Sequence, residues 1–162
     1  MTSQDFIDVG ARLLLAVVCG ASIGLNRDLH HKPAGFRTFG LVAVGSAVMT
    51  LVAAGLRAYD PAAVSRVMQG IVTGIGFLGA GVILHREGQR VRGLTTAAAI
   101  WTTAGLGVAC GLAQYVIAIA GLVATMLVLL VGGPVERFFE RVAPSKGAGP
   151  DANADKGPAD GP

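Results

Sequence analysis

Long apolar runs, separated by short stretches that carry most of the charge, set the pattern of this chain. The first run extends from Phe6 to Leu25, with Asp8 and Arg12 near its start. Thr38 to Leu56 and Val67 to His85 each hold 19 residues without an acid, a Lys or an Arg. Gly93 to Val135 holds 43 such residues. A helix needs about 20 to cross the hydrocarbon core of a bilayer, so this last run reads as two spans, divided near Gly111-Leu112-Ala113-Gln114. The pattern predicts an all-α membrane protein, a bundle of about five transmembrane helices with a glycine-rich third helix. The spans fall at about 6–25, 38–57, 67–85, 94–111 and 114–133. Pro134 is expected to close the last one, because it lacks the N–H that continues a helix. Residues 135–142 are amphipathic and mixed in charge, and are expected to lie at the membrane interface or to extend the last helix. Residues 1–142 thus form a transmembrane domain. Residues 143–162, with no large apolar side chain, are expected to be a disordered cytoplasmic tail, and no second folded domain is expected.

Composition narrows the class. Hydrophobic residues make up 52% of the 162 positions and charged ones 14%. A soluble domain carries about a quarter charged residues, so an ordinary soluble enzyme is excluded. The 24 glycines have no period of three, which excludes a collagen-like chain. The net charge of +3 does not point to nucleic acid, because the basic residues lie in separated short loops. Their partition is informative. The first loop (Arg27, Lys32, Arg37), the third loop (Arg86, Arg90, Arg92) and the tail (Arg137, Arg141, Lys146, Lys156) hold ten of the thirteen. Arg12, Arg57 and Arg66 fall on the other side. The positive-inside rule then predicts an outside N-terminus and a cytoplasmic C-terminus. Met1 to Asp8 carries two acids and no base, the wrong flank for a cleaved signal peptide.

Candidate chemistry is sparse. Cys19 and Cys110 lie in apolar runs without metal-ligand or disulfide spacing, and read as small buried hydrophobes. Asp8 and Arg12 are spaced to pair on one helix face. No acid falls near the middle of a span, so a carboxylate cage for a cation is not visible. His30 and His31 are adjacent, and their side chains point apart. No nucleophile–base pair and no cofactor motif survives its context; Gly74-Ile75-Gly76-Phe77-Leu78-Gly79 has the spacing of a dinucleotide loop without its strand. No enzyme activity, cofactor or metal site is expected.

The third span is the unusual one. Gly70, Gly74, Gly76, Gly79 and Gly81 lie within twelve residues. Small residues let helix backbones approach closely in lipid, so this span is expected at the buried centre of the bundle or against a partner. The alternative is that the glycines break the helix and bare its carbonyls to a cavity. In the fourth span Thr95 suits an N-cap, the other threonines suit hydrogen bonds to their own backbone, and Trp101 is expected to fill a gap against the glycine-rich helix. Trp101 and Cys110 are therefore predicted in the bundle core. The first loop packs charge, two His and a Pro-x-Gly turn into a short link, either a solvated topogenic loop or a docking or ion-sensing site at the inner mouth.

Four segments in order carry a specific likeness. They are Gly24-Leu25-x-Arg27-Asp28, Ala34-Gly35-Phe36-Arg37-Thr38, Gly74-Ile75-Gly76-Phe77-Leu78-Gly79-Ala80-Gly81-Val82-Ile83, and Val91-Arg92-Gly93-Leu94-Thr95-Thr96-Ala97-Ala98. Together they resemble the MgtC/SapB family of bacterial inner-membrane proteins, from about Val9 to Tyr115. The resemblance implies a multi-pass inner-membrane protein tied to growth at low magnesium and, in pathogens, to virulence and survival inside macrophages. It implies a regulator that binds another membrane complex, with the membrane sector of the proton-driven ATP synthase as the partner, rather than a proven transporter. A second copy of the chain is a further candidate partner. The family-motif residues Arg27, Asp28, Gly35, Arg37, Thr38, Arg92, Gly93, Thr95 and Thr96 would then shape the inner-side surface. A magnesium or small-ion transporter is the alternative. The chain departs from the virulence-associated members, which carry a soluble C-terminal domain that is not seen here. It also has Asn26 and Asp28 where acids such as Glu are common, Phe39 for His or Asn, and Thr95 and Thr102 for Asn and Cys.

Overall fold

A computed structural model describes residues 3–55, 59–83 and 92–142, with the backbone alone for 136–142. The expected tail at 143–162 and most of the third loop, 84–91, lie outside the described residues. Five helices follow one another: α1 (Ser3–Leu29), α2 (Phe36–Ala54), α3 (Pro61–Val82), α4 (Leu94–Gly111) and α5 (Tyr115–Val142). All five are long and apolar enough to cross a membrane. Residues to Val128 form one compact unit and those from Leu129 a second; α5 begins in the first and ends in the second. The helix does not stop at Pro134, which lies inside it. Gly133, with no Cβ for the proline ring to strike, lets the chain continue through that point.

The turns follow from local chemistry. α1 ends in a Schellman motif: the Lys32 amide donates to the Arg27 carbonyl at 3.0 Å and the His31 amide to Asp28 at 3.0 Å, with His31 left-handed at φ 51° and Pro33 next to block further helix. α4 ends in the same way. Gln114 N–H bonds the Ala109 carbonyl at 2.8 Å and Ala113 N–H that of Cys110 at 3.0 Å, with Ala113 left-handed at φ 55°. This is the break expected at 111–114. α3 starts with Asp60 as N-cap, its carboxylate accepting from Ala62 and Ala63, and Pro61 in the first turn, as capping physics favours.

Two glycine pairs hold the bundle, and neither belongs to α3. Gly20 and Gly24 let α1 lie against α2. A Cβ at Gly20 would fall 2.5 Å from the Phe39 carbonyl oxygen, and one at Gly24 2.5 Å from Phe36 Cα. Gly107 and Gly111 do the same from α4. A Cβ at Gly107 would overlap the Ala43 carbonyl oxygen, and one at Gly111 would sit 2.7 Å from that of Ala47. α2 is clasped between them, with Phe39, Ala43, Ala47 and Thr50 buried along it. In lipid the gain on helix association comes from such backbone contact, since lipid tails are as apolar as leucine.

The expected centre is therefore in the wrong place. In α3, 11% of the spanning window is buried, against 61% in α4. α4 is the central helix and α3 is peripheral. Trp101, expected in the core, is 57% exposed, on the outer side of α4. A large aromatic does not fit beside a helix whose inward face is Ala99, Ile100, Thr103, Ala104 and Gly107, and lipid is as apolar a surrounding for its rings as the core. Cys110 is fully buried and, like Cys19, a free thiol; the two side chains meet between α1 and α4.

Replacing Gly107 with Leu should cost about 1–3 kcal/mol of unfolding free energy through overpacking against α2, measured by detergent denaturation followed by helix signal. Gly105, in the same helix with nothing within 4 Å of a Cβ, provides the control; Gly105→Leu should change stability by less than about 0.5 kcal/mol.

Candidate functional site

Polar groups gather at the end of the bundle where α1 turns into α2. Arg27 is buried at 6% exposure, and its Nη2 donates to Thr96 Oγ1 on α4 at 2.5 Å. Its Nε is buried without a partner. Asp28 faces the other way. Its Oδ2 accepts the Phe36 N–H at 2.8 Å, so it caps α2, whose own N-cap residue Gly35 offers no side chain for that bond. A carboxylate at a helix N-terminus is favoured by both the free amide and the dipole. Gly35 leaves room for this contact, because a Cβ there would overlap the Asp28 carboxylate. Arg27 and Asp28 are thus chain neighbours with separate tasks, one joining α1 to α4 and the other α1 to α2.

Gly93 closes this end. It is the N-cap of α4 at φ 95°, left-handed, a conformation that suits glycine, and a Cβ there would overlap the Val82 carbonyl at the end of α3. Thr95, expected as the cap, is exposed instead, because the helix already begins at Leu94. Its neighbour Thr96, 1% exposed, is the inward-facing one. Arg37, Thr38 and Arg92 are exposed at the same end. Of the nine motif residues, Arg27 with Thr96 and Asp28 with Gly35 make direct contact.

At the opposite end Arg12 repeats the device. Nη2 lies 2.5 Å from Asp8 Oδ2, the expected pair, and Nη1 donates to the Gly111 carbonyl at 3.0 Å. Arg12 and Arg27 are 15 residues apart on α1, and their α4 partners Gly111 and Thr96 are 15 apart in the reverse sense. The antiparallel pair is fastened twice over about 22 Å of helix. The α4 contacts of Arg12 and Arg27 escaped sequence reasoning. An arginine in or beside an apolar span turns toward the protein interior, and that rule would have marked the α1 face that α4 covers.

The five α3 glycines stand differently from expectation. A Cβ at Gly70, Gly74, Gly76 or Gly81 would meet nothing within 4 Å; at Gly79 it would touch Ala97 Cβ at 3.6 Å. Gly70, Gly74 and Gly81 share one open face of the helix, whereas Gly76 and Gly79 lie on the other side, where Gly79 is buried. The helix is unbroken from Pro61 to Val82, so the alternative of a glycine break with bared carbonyls is not realised. Of the α4 threonines, Thr102 and Thr103 behave as expected. Thr50, Thr73, Thr102, Thr103 and Thr125 each donate to the carbonyl four residues earlier, and Thr96 instead takes Arg27. An open groove of about 720 Å³ runs along the first half of α3, with Ser65, Gln69 and Thr73 among its lining residues. Among the described residues no three His, Cys, Asp or Glu side chains come together.

Five apolar helices, three of them clasped through glycine and two of those fastened by arginines at both ends, define a multi-pass α-helical membrane protein. Its family follows from comparison. The MgtC family model matches residues 13–138, and the chain belongs to that family. It is 46% identical to Protein SrpB of Synechococcus elongatus, over 86% of this chain and 80% of that protein. It is 49% identical to Protein MgtC of Salmonella typhimurium, over 80% of this chain and 53% of the relative. YhiD of Escherichia coli, whose given name proposes a magnesium transporter, is 43% identical over 81% of this chain and 61% of its own length. The chain thus spans between about half and four fifths of these relatives. No solved structure matches it.

Asp28→Ala should lower stability by about 1 kcal/mol through loss of the α2 cap, with Asp28→Asn retaining most of it, read by the same denaturation. Gly35→Ala should cost at least as much, since the added methyl displaces the carboxylate itself.

Proposed function

We propose that this protein is a membrane-embedded regulator that acts by binding another membrane complex through α3, in a bacterial inner membrane and in connection with growth at low magnesium. The observation that carries this reading is the open row of α3 glycines. Gly70, Gly74 and Gly81 share one face of the helix, where among the described residues nothing stands within 4 Å of an added Cβ, and such a surface accepts a second helix at close range. Family membership supports the magnesium connection, and the membrane sector of the proton-driven ATP synthase is the partner that the family resemblance implies. Ten of thirteen basic residues on one side support an outside N-terminus and a cytoplasmic C-terminus, which puts the Arg27–Asp28 end at the cytoplasmic face.

A magnesium or small-ion transporter is the second reading. The name of the Escherichia coli relative favours it, and Ser65, Gln69 and Thr73 supply a few polar groups to an otherwise largely apolar groove. Mg²⁺ wants carboxylates together with retained waters, and threonine hydroxyls with one amide are a poor substitute.

Gly74→Leu should abolish co-purification of the partner complex from native membranes grown at low magnesium, while leaving insertion and stability intact because its Cβ meets nothing in the bundle. Pull-down equal to wild type would remove α3 as the docking surface. Flux of magnesium through proteoliposomes of the purified chain, lost on Gln69→Leu, would instead establish the transporter.

A further inference from the structure

Arg27 has a buried charge and, among the described residues, no acid to meet it. Ion pairs there join Arg12 to Asp8 and Arg66 to Asp60, and Asp28 is turned to the α2 N-terminus. The guanidinium is aimed at the first turn of α4, where Nη2 reaches Thr96, the third residue of that helix. This turn has no side-chain cap and no acid. Its first intrahelical bond is Ala97 N–H to the Gly93 carbonyl at 2.9 Å, so the amides of Leu94, Thr95 and Thr96 precede the hydrogen-bonded ladder. α2 has Asp28 at its positive end, whereas α4 has a second positive group there. An arginine nine-tenths buried, with Nε lacking any partner, is costly to hold at a membrane unless an anion joins it.

We propose that this corner binds a phosphate group, held by the Arg27 guanidinium and the amides that open α4. A planar guanidinium fork matches two oxygens of a phosphate, and a helix N-terminus offers both N–H donors and the positive end of the dipole to the others. Arg27 lies two residues before the end of α1, at the level where the apolar span gives way to headgroups. The phosphate is therefore that of a phospholipid headgroup or free inorganic phosphate, two sources with one chemistry.

The test uses the purified full chain in detergent. Thermal unfolding is followed while phosphatidylglycerol, a phosphate-free galactolipid or inorganic phosphate is titrated, with chloride at matched ionic strength as control. The unfolding midpoint should rise with phosphatidylglycerol or with inorganic phosphate and not with the galactolipid or chloride. A response to the phospholipid alone assigns the site to a headgroup; a response to inorganic phosphate in lipid-free micelles assigns it to the free ion. Arg27→Gln should weaken the apparent affinity by roughly tenfold or more, and Arg27→Lys, which keeps the charge and loses the fork, should fall between. An unchanged response in a folded Arg27→Gln chain overturns the proposal. Should that variant not fold, wild type decides alone: equal stabilisation by galactolipid and phosphatidylglycerol, together with no response to inorganic phosphate, overturns it as well.

Discussion

Close approach of backbones at α2 is the constraint on which the rest of this fold depends. A bilayer offers no hydrophobic reward for joining one apolar helix to another. Association must come from atoms that touch more closely than lipid can, or from polar groups that lipid cannot satisfy. Gly20 and Gly24 on one side and Gly107 and Gly111 on the other bring three helices to backbone contact. That contact makes α2 the common partner and α4 the most enclosed span, and leaves α3 and α5 with their large apolar side chains turned outward.

Arginine supplies the second kind of bond. The two fastenings between α1 and α4 use Gly111, a residue that also packs on α2, and Thr96, which sits one turn from Gly93 and the end of α3. Packing and polar contact are thus interleaved along the same faces. The end that holds Arg27, Asp28, Gly35 and Gly93 collects the termini of four helices, and all four family motifs reach it. A chain with so few charges concentrates at this corner the ones that decide its geometry.

Much of this was legible in the residues. The number of spans and the break near 111–114 followed from apolar run length. The Asp8–Arg12 pair and the self-bonded threonines of α4 were legible too, both short-range matters. The misplacements were of another kind. Gly70 to Gly81 drew attention by their density, and Gly20, Gly24, Gly107 and Gly111 have the same small-residue spacing at lower density. Trp101 was assigned inward on size. Pro134 was read as a stop on its missing N–H alone, without weighing the glycine before it.

The sequence by itself determined that the chain is a five-helix membrane protein and which family it resembles, because those depend on run length and ordered motifs. Tertiary structure alone decided which helix lies at the centre and which glycines touch a neighbour. In water an apolar stripe marks the inward face of a helix. In lipid the outside is as apolar as the inside, so hydropathy carries no such mark, and the inward face is known only once backbones meet. Arg12 and Arg27 are the exception, since a charge has one tolerable side. They point at α4, and the helix they point at is the centre.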